Sequence, residues 1–187
     1  MSTTSTPNPI ETFDVIVRSS TFTFLLYYRG HWCPFCIAHL KQLVALTPSI
    51  KAAGGTVVAA TAEIPKHLDA VRKATGFADT VVVDPENVLA AELKKRGLLD
   101  LAVTPWRGYE WGLAQPGFLV LRGDGRVLGR WAVVPALMNL GGAKDRPVLS
   151  EVWEDVQKQL KGEGTTEGSK AYRTTGAFHL LKQKIFR

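Results

Sequence analysis

The sequence predicts an α/β fold, a central mixed β-sheet flanked by helices on both faces. Two observations carry this expectation. β-Branched runs alternate with segments of helical periodicity along most of the 187 residues, and the turn Gly123-Asp124-Gly125 joins the last two runs into an antiparallel hairpin. Right-handed crossovers turn the resulting order, β-α-β-α-β-α-β-β-α, into a sheet covered on both sides. An apolar content of 45% is enough to fill the core of one such domain.

Each element has its own signature. Residues 22–28 are aromatic or aliphatic almost throughout, as befits a strand buried on both faces. Residues 34–53 carry Cys36, Ile37, Leu40, Leu43, Val44 and Thr47 at helical spacing and end at Gly54-Gly55. A kink is expected at Pro48, and His39 is expected on the solvated side. Residues 56–61 form a second β-branched run, and residues 65–75 read as a helix opened by proline and closed by Gly76. Residues 80–83 are a short third strand. Asp84 as a cap, Pro85 in the first turn, Lys94, Lys95 and Arg96 in the last turn and Gly97 beyond it predict a helix over 85–96. A long aromatic loop containing Trp106, Arg107, Tyr109 and Trp111 leads to strands at 117–121 and 126–133. Trp106 and Arg107 are candidate substrate contacts; the alternative is that this loop's aromatics cover the sheet edge. Residues 148–161 close the domain as an amphipathic helix with Val148, Leu149, Val152, Trp153, Val156 and Leu160 inward.

This places one domain at residues 21–161, after a lead-in at 1–20 and before a basic tail or docking helix at 162–187. Phe178, Leu180, Leu181, Ile185 and Phe186 predict that the tail docks on the domain or on a partner subunit, which leaves a homodimer open. The net charge is +6, yet from Lys161 onward six lysines and arginines face two glutamates, so most of the excess lies in the tail. The remaining surface has no basic stripe, and no nucleic-acid partner is expected. No apolar run approaches the ~20 residues a bilayer-crossing helix needs, so no membrane partner is expected either. The Ser/Thr/Pro-rich start lacks the basic-then-apolar pattern of a secretory leader, and the expected location is cytoplasmic.

The chemistry-bearing stretch is Tyr28-Arg29-Gly30-His31-Trp32-Cys33-Pro34-Phe35-Cys36, between a buried strand and a helix. The chain's two cysteines are too few for a disulfide scaffold, and a bridge between residues three apart stabilises little. A thiol at a helix N-terminus meets unpaired N–H groups and the positive end of the dipole, which favours thiolate. Cys33 is therefore expected to be the exposed, attacking sulfur. Cys36, one turn further on, is placed to resolve a mixed disulfide. Pro34 fixes the backbone at the first helical position, and Trp32 shields the nucleophile. Arg29 and His31 stabilise thiolate if their side chains turn inward. His31, Cys33, Cys36 and His39 are all metal-ligand types, but redox pairing already accounts for the cysteines, so no metal or other cofactor is expected.

Trp32-Cys33-Pro34-Phe35-Cys36 resembles the active-site motif of thioredoxin and glutaredoxin proteins. The longer run from Arg29 resembles a peroxiredoxin-like group of the alkyl hydroperoxide reductase/thiol-specific antioxidant family. Val81-Val82-Val83-Asp84-Pro85 and Pro116-Gly117-Phe118-Leu119-Val120-Leu121 extend the likeness over about residues 21–161. The resemblance implies a thioredoxin-like fold and a thiol-disulfide oxidoreductase acting on protein or small-molecule disulfides, with glutathione or a thioredoxin-type protein as reductant. It also implies, as alternatives, reduction of hydroperoxides or a non-catalytic binding module. It places a cis-proline at Pro116, facing the cysteines. Where peroxiredoxins carry a Ser or Thr and a proline before the reactive cysteine, this chain has Gly30 and Leu26; where they use an arginine near the strand start, it has Pro116, which leaves Arg29 or Arg107 as spatial substitutes.

Overall fold

The computed structural model describes residues 8–163, Tyr172 and Thr174–Thr175. In chain order the first half comprises α1 (Pro9–Arg18), β1 (Phe22–Tyr27), α2 (Pro34–Ala52), β2 (Gly55–Thr61), α3 (Leu68–Thr75) entered through a 3-10 turn at Pro65–His67, β3 (Thr80–Val83) and α4 (Val88–Lys95). The second half comprises β4 (Val103–Trp106), β5 (Tyr109–Ala114), β6 (Gly117–Arg122), β7 (Val127–Ala132), β8 (Arg146–Pro147), α5 (Leu149–Leu160) and β9 (Thr174–Thr175).

All six residues of β1 are buried, and this strand is the centre of a sheet ordered β3-β2-β1-β6-β7. It runs parallel to β2 and antiparallel to β6, so the sheet is mixed. Alternation along β1 feeds two cores. Phe22, Phe24 and Leu26 pack with α2 and α5, through Leu40, Leu43, Val152 and Trp153. Leu25 and Tyr27 face the other way, toward Phe13 of α1 and Leu89 and Leu93 of α4. Gly55 is needed where β2 begins, since a Cβ there would lie 2.3 Å from Phe22 Cζ.

Three expectations require correction, and one helix lies outside the expected element order. Part of the lead-in is structured: α1 is capped by Asn8, whose Oδ1 accepts from the Ile10 N–H at 2.9 Å, and it buries Phe13 completely. The helix expected from residue 85 begins at Val88, because Pro85–Asn87 form a turn with Asn87 at φ 58°. Asp84 still caps it, accepting from the N–H groups of Leu89 and Ala90 at 3.1 and 3.2 Å. The helix ends as expected at Gly97 (φ 69°), with Gly97 N–H bonded to Lys94 O and Leu98 N–H to Leu93 O. The aromatic loop is a hairpin, β4 paired with β5, turning at Arg107-Gly108 with Gly108 at φ 88°. Finally, His39 is buried rather than solvated; its Nε2–H donates to Pro147 O at 3.1 Å, which ties α2 to β8.

Helix α2 runs on through Pro48 to Ala52. The expected tail lies largely outside the described residues. Within them, Tyr172 meets the Phe118 ring edge-on at 6.0 Å, and β9 pairs antiparallel with β8, Thr175 opposite Arg146. Among the described residues no helix is long and apolar enough to cross a membrane.

Candidate active site

Cys33 is the N-cap of α2, and Pro34 supplies the fixed φ of its first turn. A hydrogen bond from Cys33 N–H to Gly30 O at 3.1 Å folds the chain between β1 and α2, and the Cys36 N–H returns to Cys33 O at 3.0 Å. Both thiols are thereby set one helical turn apart. Neither is open to solvent: Cys33 is 1% exposed and Cys36 is fully buried. The expectation of an exposed Cys33 thiol is corrected accordingly. The junction lies under neighbouring chain, including the segment that carries Arg146.

Arg146 is the residue that sequence reasoning did not find. Its Nη2 lies 3.2 Å from Cys36 Sγ and 3.7 Å from Cys33 Sγ, and its Nε donates to Ala143 O at 2.9 Å. The guanidinium is almost wholly buried, so its field on the sulfurs is poorly screened. Cys36 also accepts from the Arg29 backbone N–H at 3.2 Å. Burial opposes ionisation of Cys36, yet the interaction with Cys33, the Arg146 charge and the Arg29 N–H outweigh it and lower the Cys36 thiol below its ordinary value. Cys33 moves the other way, because it donates to Cys36, is buried and faces the Cys36 charge. The donors converge on Cys36 Sγ, which has the Arg146 Nη2 at 3.2 Å and the Arg29 N–H at 3.2 Å, against 3.7 Å from Arg146 to Cys33 Sγ.

The other expected residues divide between two clusters. Arg29 reaches Cys36 only through its backbone; its guanidinium lies 5.0 Å from the Trp32 ring and 4.9 Å from the Trp106 ring. Those indoles are stacked at 5.2 Å and 2°, so Trp106 is part of the wall beside the cysteines. Trp32 Nε1–H donates to Tyr109 OH at 3.0 Å, and that hydroxyl donates to Glu63 Oε1 at 3.3 Å. Glu63 also holds His31, through its backbone N–H at 2.8 Å and its ring Nδ1 at 2.6 Å. His31 thus serves Glu63, not the thiolate. Arg107 stands exposed at the hairpin turn.

Pro116 is buried, and among the described residues no peptide bond is cis, so the expected cis-proline is corrected to trans. Its carbonyl accepts from Val133 N–H at 3.0 Å and continues the β6–β7 ladder. Among the described residues, the group that could hold a metal is His31, Glu63 and His67, whose ligand atoms lie within 4.8 Å of one another.

A mixed sheet whose central strand runs into a helix capped by a Cys-Pro-Phe-Cys pair defines the thioredoxin-like class. Solved structures agree on the fold. Peroxidoxin BcpB from Mycobacterium tuberculosis superposes with a TM-score of 0.58 at 11% identity, covering 82% of this chain and 86% of that one. Bacterioferritin comigratory protein from Xanthomonas campestris gives 0.53 at 17% identity, with 79% and 82% covered. A cysteine-to-serine mutant of peroxiredoxin 6 from Arenicola marina gives 0.58 at 14% identity, with 87% and 71% covered. No curated protein sequence matches the chain. Residues 4–129 match the AhpC/TSA family, and the chain belongs to that family.

Proposed function

We propose that the protein is a thiol-disulfide oxidoreductase that cycles between the Cys33/Cys36 dithiol and a redox-active disulfide, in the reducing setting of the cytoplasm. The observation that carries this reading is the buried Arg146 guanidinium beside both sulfurs. It makes one thiolate stable in a place where burial alone would keep both thiols neutral.

Cys33 is the sulfur nearer the partly open Trp32, so it is the one that meets substrate. As a disulfide approaches, the Cys33 proton passes to the neighbouring Cys36 sulfur one helical turn away, and the Cys33 thiolate attacks one substrate sulfur. The substrate S–S bond breaks and one thiolate leaves. Cys36 then gives its proton to that leaving thiolate and attacks Cys33 of the mixed disulfide, releasing the second thiolate, which takes a proton from water. The protein ends two electrons oxidised, and the substrate ends as two thiols. A thiol reductant, glutathione or a thioredoxin-type protein, reverses the steps. Local opening must precede attack, because both sulfurs are covered.

A second reading, hydroperoxide reduction, is favoured by the same guanidinium. Arg146 Nη2, at 3.7 Å from Cys33 Sγ and 3.2 Å from Cys36 Sγ, would offer a cationic donor to a peroxide oxygen approaching the pair, in place of the arginine that Pro116 does not supply. Cys33 thiolate would take one oxygen, becoming sulfenic acid while the alcohol or water leaves. Cys36 would then close the disulfide and release water.

The test is a pair of single-cysteine variants offered a small aromatic disulfide, followed by intact mass under non-reducing conditions. Cys36→Ser is expected to retain a mixed disulfide on Cys33, and oxidised wild type to be lighter by two hydrogen atoms. Thiols that remain fully alkylatable after oxidant would refute the couple. Stopped-flow rates with hydrogen peroxide against the disulfide then decide between the two readings.

A further inference from the structure

The exchange reaction uses the backbone of Arg29 and leaves its guanidinium idle. That side chain is only 3% exposed, yet among the described residues it makes no hydrogen bond or ion pair, and its Nε is buried without a partner. Glu63, a neighbouring carboxylate close against Gly30, is committed elsewhere; it accepts from the His31 N–H, the His31 ring and Tyr109 OH. What the guanidinium does contact is aromatic, the Trp32 and Trp106 rings at 5.0 and 4.9 Å.

Ring contacts compensate the charge through the quadrupole, but they leave in-plane N–H donors unfilled. A guanidinium so nearly covered, with its Nε–H buried and unmet, is a poor resting arrangement unless an anion completes it. A carboxylate fits best, since it meets the planar fork with two parallel hydrogen bonds. The indoles are 38% and 45% exposed, so they offer a flat apolar surface to the rest of such a ligand. Trp32 is bonded directly to Cys33 in the chain, so a ligand bound on it lies beside the thiol pair.

We propose that Arg29, Trp32 and Trp106 form a carboxylate-recognition subsite, which selects small thiols and disulfides bearing a carboxylate as exchange partners. The partner's role rests on the oxidoreductase reading above; the binding itself is non-covalent and requires no redox step.

The probe is S-methylglutathione, a thioether with two carboxylates that cannot exchange, titrated by calorimetry into the full reduced chain. Its dimethyl ester, of the same shape without the anions, is titrated in parallel. Saturable binding of the acid is expected, weaker by about tenfold or more both for the ester on wild type and for the acid on Arg29→Met, as loss of a bidentate charged pair requires. The ester on Arg29→Met should lose nothing further. Equal binding of acid and ester to wild type overturns the proposal, and that arm needs no variant to fold. So does acid binding that Arg29→Met leaves intact, or the absence of saturable binding. Failure of the oxidoreductase reading shows elsewhere, as a missing Cys33–Cys36 disulfide in oxidised protein, which thioether binding does not report.

Discussion

Around the thiol pair, the Cys33 hydrogen-bond interaction, the Arg146 charge and the Arg29 N–H lower the Cys36 thiol against its burial, while Cys33 is pushed up by its neighbour. Replacing Arg146 with methionine removes the cation and leaves the burial, so the thiolate must become harder to form. In Arg146→Met the thiolate absorbance near the ultraviolet edge should titrate at least about one pH unit higher, a tenfold loss of thiolate on the acid side. His39 carries a second pH signature. Burial, then the Arg146 charge, bring it down to about 3, so the folded protein keeps it neutral where the unfolded chain, at ~6.5, takes up a proton. Its contribution is complete above ~6.5 and is lost as pH falls toward 3. In His39→Gln, which can still donate to Pro147 O, chemical denaturation should show a flatter fall in stability across that window than wild type. Neither effect was legible in the sequence. The cysteine motif was, since its chemistry is local; Arg146 is 110 residues from Cys36, in a strand of two residues too short to show a period, and only the folded chain brings it to the sulfurs.

Elements were legible where their signals were local too. Strand β1, the Gly76 and Gly97 stops and the inward face of α5 follow from periodicity and turn chemistry within a few residues. Helix α1 was missed because its start borders a Ser/Thr/Pro-rich stretch that reads as unstructured, although Asn8-Pro9 is a capping signature with proline at the first helical position. The aromatic hairpin was missed because Pro105 and Gly112 interrupt the alternation of β4 and β5. α1 is no ornament, since Phe13 fills the core beneath β3 and α4. Phe13→Ala should lower stability by about 3–5 kcal/mol, read as a shift of the urea midpoint at unchanged slope. A shift of a few tenths would mean that α1 frays from the domain.

Across the whole molecule, the active site depends on parts remote in sequence. β8 carries Arg146 at its first residue and pairs with β9, so the tail's short strand borders the residue that sets the thiolate. A chain ended after Gly162 should keep its sheet, by far-ultraviolet dichroism, yet show a thiolate titrating above that of the full chain. An unchanged titration would mean that Arg146 is held by Ala143 O and the sulfurs alone. The placement of β1 has a different consequence, in time. Its antiparallel partner begins the pairing of Phe22 with Arg122, about a hundred residues later in synthesis. At translation rates of about 5–20 residues per second, the strand at the centre of the finished sheet waits on the order of 5–20 s with one edge unpaired. This wholly buried strand is the first made, and its second edge stays open until β6 is made, so the nascent chain is most vulnerable to association with its neighbours before β6 leaves the ribosome.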